Sequence, residues 1–236
     1  MVRLSSLALL CFLTACRTST PLKAPPTALW ELPLELEAGQ PPRVTVTIDG
    51  APARLVVDTA ASAHSFTGTA KLGPLTLTGT GTDGTLAITK LLERGAVVLD
   101  FPNKRLLAID GGEMSFLRWL DERSPKGQLE GVGRAGNGVI IKTRVGDGQE
   151  IVTQVATTQQ HTAYARELFD PKLVKGDTVP GLFVRVRESE FGPLEAELLP
   201  EGAAPQGRLG LDVLSGLVVL VPMHAMAPIW FMTPRE

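Results

Sequence analysis

The chain has 236 residues, 23 of them basic and 25 acidic, for a formal net charge of −2, and it contains no basic block; this balance excludes wrapping of nucleic acid. With 44% hydrophobic residues, 24 Gly and 18 Pro, it is too apolar to be disordered and too rich in turn residues to be fibrous. The length admits one large domain or two lobes of about 100 residues, and both cysteines, Cys11 and Cys16, precede residue 17, which excludes a disulfide framework or a Cys-ligated metal in the body.

Arg3 supplies a positive start and Leu4 to Leu13 an apolar run, too short to span a bilayer as a mature helix, so residues 1–15 read as a signal peptide. The stretch Leu13-Thr14-Ala15-Cys16 resembles the bacterial lipobox. That resemblance implies that Cys11 is discarded and Cys16 is lipidated, which would attach the protein to a membrane. Residues 16–29 are then the lipidated cysteine and a tether, stiffened by Pro21, Pro25 and Pro26. Arg17, where an Asp would signal retention, resembles lipoproteins sorted to the outer membrane. The expected location is the cell envelope, facing the periplasm or the cell surface.

From residue 30 the pattern is strand and turn. Val44 to Ile48 alternates, Asp49-Gly50 predicts a hairpin turn, and Ala53 to Val57 resumes and ends at Asp58. The arrangement returns 98 residues later, with Lys142 to Val145, a turn at Gly146 to Gly148, and Glu150 to Val155 ending at Ala156. Gly50 then matches Gly148, Thr59 matches Thr157 and Phe66 matches Tyr164. A second echo sets Gly84 to Ile88 before Ala96 to Asp100, and Gly207 to Asp212 before Val218 to Val221. Duplication of a β unit explains both. Met114, Phe116, Leu117, Trp119 and Leu120 have helical spacing, and Gly131 to Gly138 reads as a flexible joint. The expected organisation is an N-terminal β lobe at 30–112, a connector at 113–138 and a C-terminal β lobe at 139–236. The apolar tail, with Met223, Met226 and Ile229 to Met232, reads as a last strand packing into the core. Gly79, Gly81 and Gly84 read as turn residues.

Leu55-Val56-Val57-Asp58-Thr59-Ala60-Ala61-Ser62 resembles the apolar-apolar-Asp-Thr-Gly-Ala-Ser signature of aspartic proteases, in particular the retropepsin-like and bacterial aspartyl-protease-like proteins. Gly207 to Leu214 resembles the Gly-x-Leu-Gly-x-Asp-x-Leu segment of the same group. The resemblance implies an all-β, two-lobed fold of β-barrel lobes with pseudo-twofold duplication and a short connecting helix. It also implies a cleft between the lobes in which two aspartates share a proton and activate water. Asp58 occupies the first catalytic position, with Thr59 and Ser62 beside it. The duplication places Ala156 at the second, followed by Thr157, and a methyl group can neither accept nor hold a proton. Ala60 and Thr158 replace the glycine of the signature. Only 26 residues separate Asp58 from Gly84, against 51 between Ala156 and Gly207, so the flap of the first lobe is expected to be short or lost. Thr59 and Thr157 match the threonines that brace the two loops together in the family.

Other candidates read as structural. Asp212 is expected to cap the short helix that follows it, and Asp100 to serve a turn. A two-histidine metal site from His64 and His161 with Asp58 is conceivable, but these residues and His224 read as ordinary loop histidines, so no metal is expected. No nucleophile elbow or phosphate loop is present, and no cofactor is expected. The reading that results is an exported, lipid-anchored protein that binds an extended peptide or a protein partner in a non-catalytic cleft. The alternatives are an active aspartic endopeptidase using Asp58, and a structural envelope lipoprotein.

Overall fold

The computed structural model describes residues 28–109, 114, 116–118, 128–133, 138–146 and 148–233. The expected signal peptide, Cys16 and nearly all of the tether lie outside the described residues, as do Trp119, Leu120 and residues 134–137. The first half forms a five-stranded sheet in the order β5-β4-β2-β3-β6. It comprises β2 (Arg43–Ile48), β3 (Ala51–Asp58), β4 (Gly68–Leu72), β5 (Leu75–Gly79) and β6 (Thr85–Ala87). The second half closes into a barrel, β10-β11-β15-β12-β14-β13. Its strands are β10 (Ile140–Val145), β11 (Gln149–Val155), β12 (Ala163–Ala165), β13 (Thr178–Val186), β14 (Ser189–Leu199) and β15 (Gly207–Leu209).

The two halves repeat one plan. In each, an antiparallel hairpin delivers its second strand to a parallel partner: Val57 lies against Leu86 in the first half, and Val155 against Leu209 in the second. Asp49 and Gly50 both take positive φ (47° and 89°), the geometry of a two-residue hairpin turn whose twist matches its strands. The second hairpin closes Val145 on Gln149, one loop residue more than the Ile48–Ala51 closure. The 98-residue offset therefore holds after the turn, whereas before it the offset is 97: Val44 and Val46 point inward, as do Ile141 and Thr143. The extra residue is absorbed in the loop, because a slip within a strand would turn every side chain to the wrong face.

The first sheet stays open and the second closes. In the second half β12 joins β14 to β15, but the equivalent residue of the first half makes only the single bridge Ser65 to Thr85. The shorter spacing also shows in the hairpins: β4 and β5 have five residues each, against nine in β13 and eleven in β14. The first-half hairpin is thus shortened, not lost.

A third sheet has the order β1-β8-β7-β16-β17-β9. Its strands are β1 (Ala28–Pro33), β7 (Ala96–Asp100), β8 (Arg105–Ile109), β9 (Gln128–Val132), β16 (Val218–Val221) and β17 (Ile229–Thr233). Every residue of β7, β8 and β16 is buried, so apart from Asp100 at the end of β7 and Arg105 at the start of β8 these strands read as apolar runs. Val97, Leu99, Leu106 and Val219 feed the main core from one face. On the other, Val98, Leu107 and Leu220 pack with Phe116 and Leu117, which lie in helical backbone at 116–118. Each such buried side chain contributes about 1.5–3 kcal/mol.

This sheet redraws three sequence expectations. Ala28 and Leu29 belong to β1 instead of the tether, because Ala28 pairs with Ile109 of β8 and Leu29 follows it at an irregularity in the register before Trp30 pairs with Ala108. Gly131 and Val132 are strand rather than joint, since they pair with Trp230 and Ile229. In the tail, Ile229, Phe231 and Met232 are buried in β17, but Met223 and Met226 are exposed before it. Gly79 is also no turn residue. It ends β5, where a Cβ would stand 2.4 Å from the Phe66 carbonyl oxygen.

Candidate functional site

Strands β3 and β11 end side by side, and the loops that follow them are locked together. The Thr59 N–H donates to Thr157 Oγ1 at 3.2 Å, and the Thr157 N–H donates to Thr59 Oγ1 at 3.1 Å. Each hydroxyl in turn donates across the divide, Thr157 Oγ1 to the Val57 carbonyl at 2.6 Å and Thr59 Oγ1 to the Val155 carbonyl. Both threonines are fully buried. Four reciprocal hydrogen bonds related by near-twofold symmetry fix the preceding residues, Asp58 and Ala156, as counterparts.

The counterparts differ chemically. Asp58 is half-buried, and its Oδ1 accepts the Ala60 N–H at 2.7 Å and the Ala61 N–H at 3.1 Å, so the carboxylate closes its own loop. Ala156 is buried, donates its N–H to the Leu209 carbonyl at 3.0 Å, and brings only a methyl group. Ala60 and Thr158 are exposed and keep negative φ, so the absent glycine has not forced these loops into the left-handed region. Ser62 is exposed and lines a cavity of about 240 Å3 between the halves. Thr59, Thr89, Lys90 and Glu93 share its wall with Ile140 and Gln154 from the second half. Lys90 donates to Glu93 at 2.9 Å and holds that carboxyl below the ordinary carboxylate range.

Behind each loop, one side chain ties it to the closing segment. In the second half Thr162 Oγ1 accepts the Gly210 N–H at 3.1 Å. In the first half His64 Nδ1 accepts the Ala87 N–H at 3.1 Å. His64 is only 8% exposed, which corrects its reading as an ordinary loop histidine; the sequence signal was its position 98 residues before Thr162. Burial first, and Lys90 second, push its pKa below the usual value, while Glu93 opposes them. The imidazole is therefore neutral at pH 7, with Nδ1 free to accept. His161 and His224 are exposed, and no group of three metal-ligating side chains occurs among the described residues.

Asp212 is not a helix cap. It lies inside α2 (Leu211–Leu214), after α1 (Ile88–Leu91) in chain order, and Gly210 starts α2 without a side-chain cap. The Asp212 carboxylate instead accepts the Thr162 N–H at 2.9 Å and hydroxyl at 2.7 Å, which commits it to holding the second loop. Asp100 does serve its turn, accepting from Asn103, but it also forms a buried ion pair with Arg105 at 2.6 Å that the sequence reading missed.

No family model and no curated protein matches the chain. Among solved structures, the aspartic proteinase from Irpex lacteus superposes with a TM-score of 0.57 at 12% identity, covering 86% of this chain and 97% of that one. At that identity the likeness concerns the fold.

Proposed function

We propose that this all-β chain with an aspartic-proteinase-like fold is a non-catalytic binding protein, exported and held in the cell envelope through lipidated Cys16, whose interlobe cleft takes an extended peptide or a segment of a protein partner. One observation carries the reading. The two loops keep the threonine brace that sets catalytic geometry in the fold, yet a methyl group stands opposite Asp58. A lone carboxylate that spends one oxygen on its own loop cannot act as both general base and general acid. Of the other acids near the loops, Asp212 is committed to Thr162 and Glu93 to Lys90. A cleft of this kind suits extended chains, because strand edges bond the peptide backbone while alternate side chains enter pockets.

The test incubates the protein with a mixture of unfolded substrates between pH 3 and 7, beside Asp58→Asn and Ala156→Asp. The expected result is no cleavage by the wild type or Asp58→Asn, with measurable peptide binding by the wild type. Ala156→Asp restores a facing pair of carboxylates and is expected to gain slow, acid-dependent cleavage. Wild-type cleavage that disappears in Asp58→Asn would establish an active endopeptidase instead. Peptide binding undetectable in all three proteins would leave the structural envelope role.

A further inference from the structure

Outside the second barrel, between its β10–β11–β13 face and strand β9, lies a pocket of about 420 Å3 whose lining includes neither threonine of the brace. Its charged lining is Lys142, Arg144, Glu150, Arg185, Arg187 and Glu188, four cations against two carboxylates on a chain of net charge −2. The sheet register makes the imbalance sharper. Across neighbouring strands Glu150 faces Arg144, Arg144 faces Arg185, and Arg185 faces Glu190. Two arginines directly opposed across an antiparallel pair repel one another. The acids at the ends of the row offset this only in part. Arg185 bonds Glu190 and Lys142 bonds Glu150 at 2.6 Å, so Arg144 has no ion pair within 4 Å among the described residues, although Glu150 still attracts it from farther away.

The pocket's other wall includes Val132 at the end of β9 and Gly133 after it. Among the described residues β9 pairs only with β17, and the Gly131 carbonyl accepts from Arg187 Nε at 3.1 Å. The cations have a spacing of their own. Lys142 and Arg144 lie two residues apart on β10, a repeat of roughly 6.6 Å, and Arg185 on β13 with Arg187 in the turn after it adds two further cations. The β10 spacing is the repeat of alternate side chains on an extended chain.

We propose that this groove is a second binding site, separate from the interlobe cleft, for an acidic peptide segment in extended conformation, with its alternate carboxylates on Arg144 and its three cationic neighbours. Charge complementarity and the two-residue repeat favour a strand over a lone oxyanion, and a concave wall favours it over a flat membrane surface.

Fluorescence anisotropy of a labelled octaglutamate at low salt tests the proposal, with octaglutamine as the neutral peptide. Wild type should bind octaglutamate and not octaglutamine, with affinity falling as salt rises. Arg144→Glu should weaken binding about tenfold or more, and Arg144→Gln by less, because one removes an ion pair and adds repulsion while the other only removes it. Lys172→Glu makes the same charge change at an exposed site outside the groove, and should leave the affinity within about twofold. Equal loss in Arg144→Glu and Lys172→Glu would overturn the site in favour of generic attraction. Displacement of the peptide by millimolar inorganic phosphate, or tighter binding to anionic phospholipid vesicles than to the peptide, would overturn the peptide in favour of those ligands. Circular dichroism checks that each variant is folded.

Discussion

Replacing Thr157 with Val tests whether the brace holds the two halves in register. Valine keeps the volume and the branched shape, so no cavity opens and the change isolates the hydroxyl. Its loss removes the acceptor of the Thr59 N–H and the donor to the Val57 carbonyl, in a site where both threonines are at most 1% exposed. Leaving a buried donor unsatisfied costs about 1–3 kcal/mol, and each hydrogen bond lost costs about 1 kcal/mol more. The sum is about 3–5 kcal/mol, which for a chain of this size lowers Tm by about 6–20 °C. Urea denaturation and thermal melting measure it. Thr157→Ser keeps the hydroxyl and should stay within about 1 kcal/mol of wild type. A loss below about 1 kcal/mol for Val, or an equal loss for Ser, would refute the claim that these hydrogen bonds hold the loops. In a Thr59→Val, Thr157→Val double variant the effects should not add, because the two side chains serve one network.

Two further outcomes follow from buried polar groups. Asp100→Asn should cost about 3 kcal/mol by urea denaturation, since it strands a buried Arg105 whose remaining partner, Glu31, is 3.4 Å away. Replacing both members of the pair, as Asp100→Leu with Arg105→Met, should cost less than Asp100→Asn alone. His64 gives a pH signature. Its folded pKa lies below its unfolded value of about 6.5, so the unfolded chain takes the proton first, and stability should fall as pH drops through 6.5 toward the folded value, levelling below it. His64→Gln removes that component, so the difference between wild-type and variant stability should change with pH from 7 to 5; a constant difference would refute the burial-lowered titration of His64.

Much of the candidate site was legible in the chain. The apolar strand ending at Asp58, its echo ending at Ala156, and the threonine after each were visible because a strand's two-residue period and a tight turn leave a repeat that survives large changes of composition. The parts that were misread share another cause. Asp212 was placed at a helix start by local chemistry, but its partner, Thr162, lies 50 residues away in sequence. His64 read as a loop histidine because nothing local signals the Ala87 N–H behind it. Gly131 looked like a joint because glycine favours one, whereas in the folded chain the ring of Trp230 lies against its Cα.

The sequence by itself determined the class of fold, the duplicated hairpins and the presence of an alanine after the second hairpin where an aspartate follows the first, since each follows from local periodicity or from the identity of a single residue. Tertiary structure alone decided that reciprocal threonine hydrogen bonds lock the Asp58 and Ala156 loops together, that both ends of the described chain share one six-stranded sheet, and that four cations line one groove beside the end of β9. Those facts depend on which distant segments pair and in what register. Pairing is set by the closing of long loops around a common core, and no window of neighbouring residues contains that information.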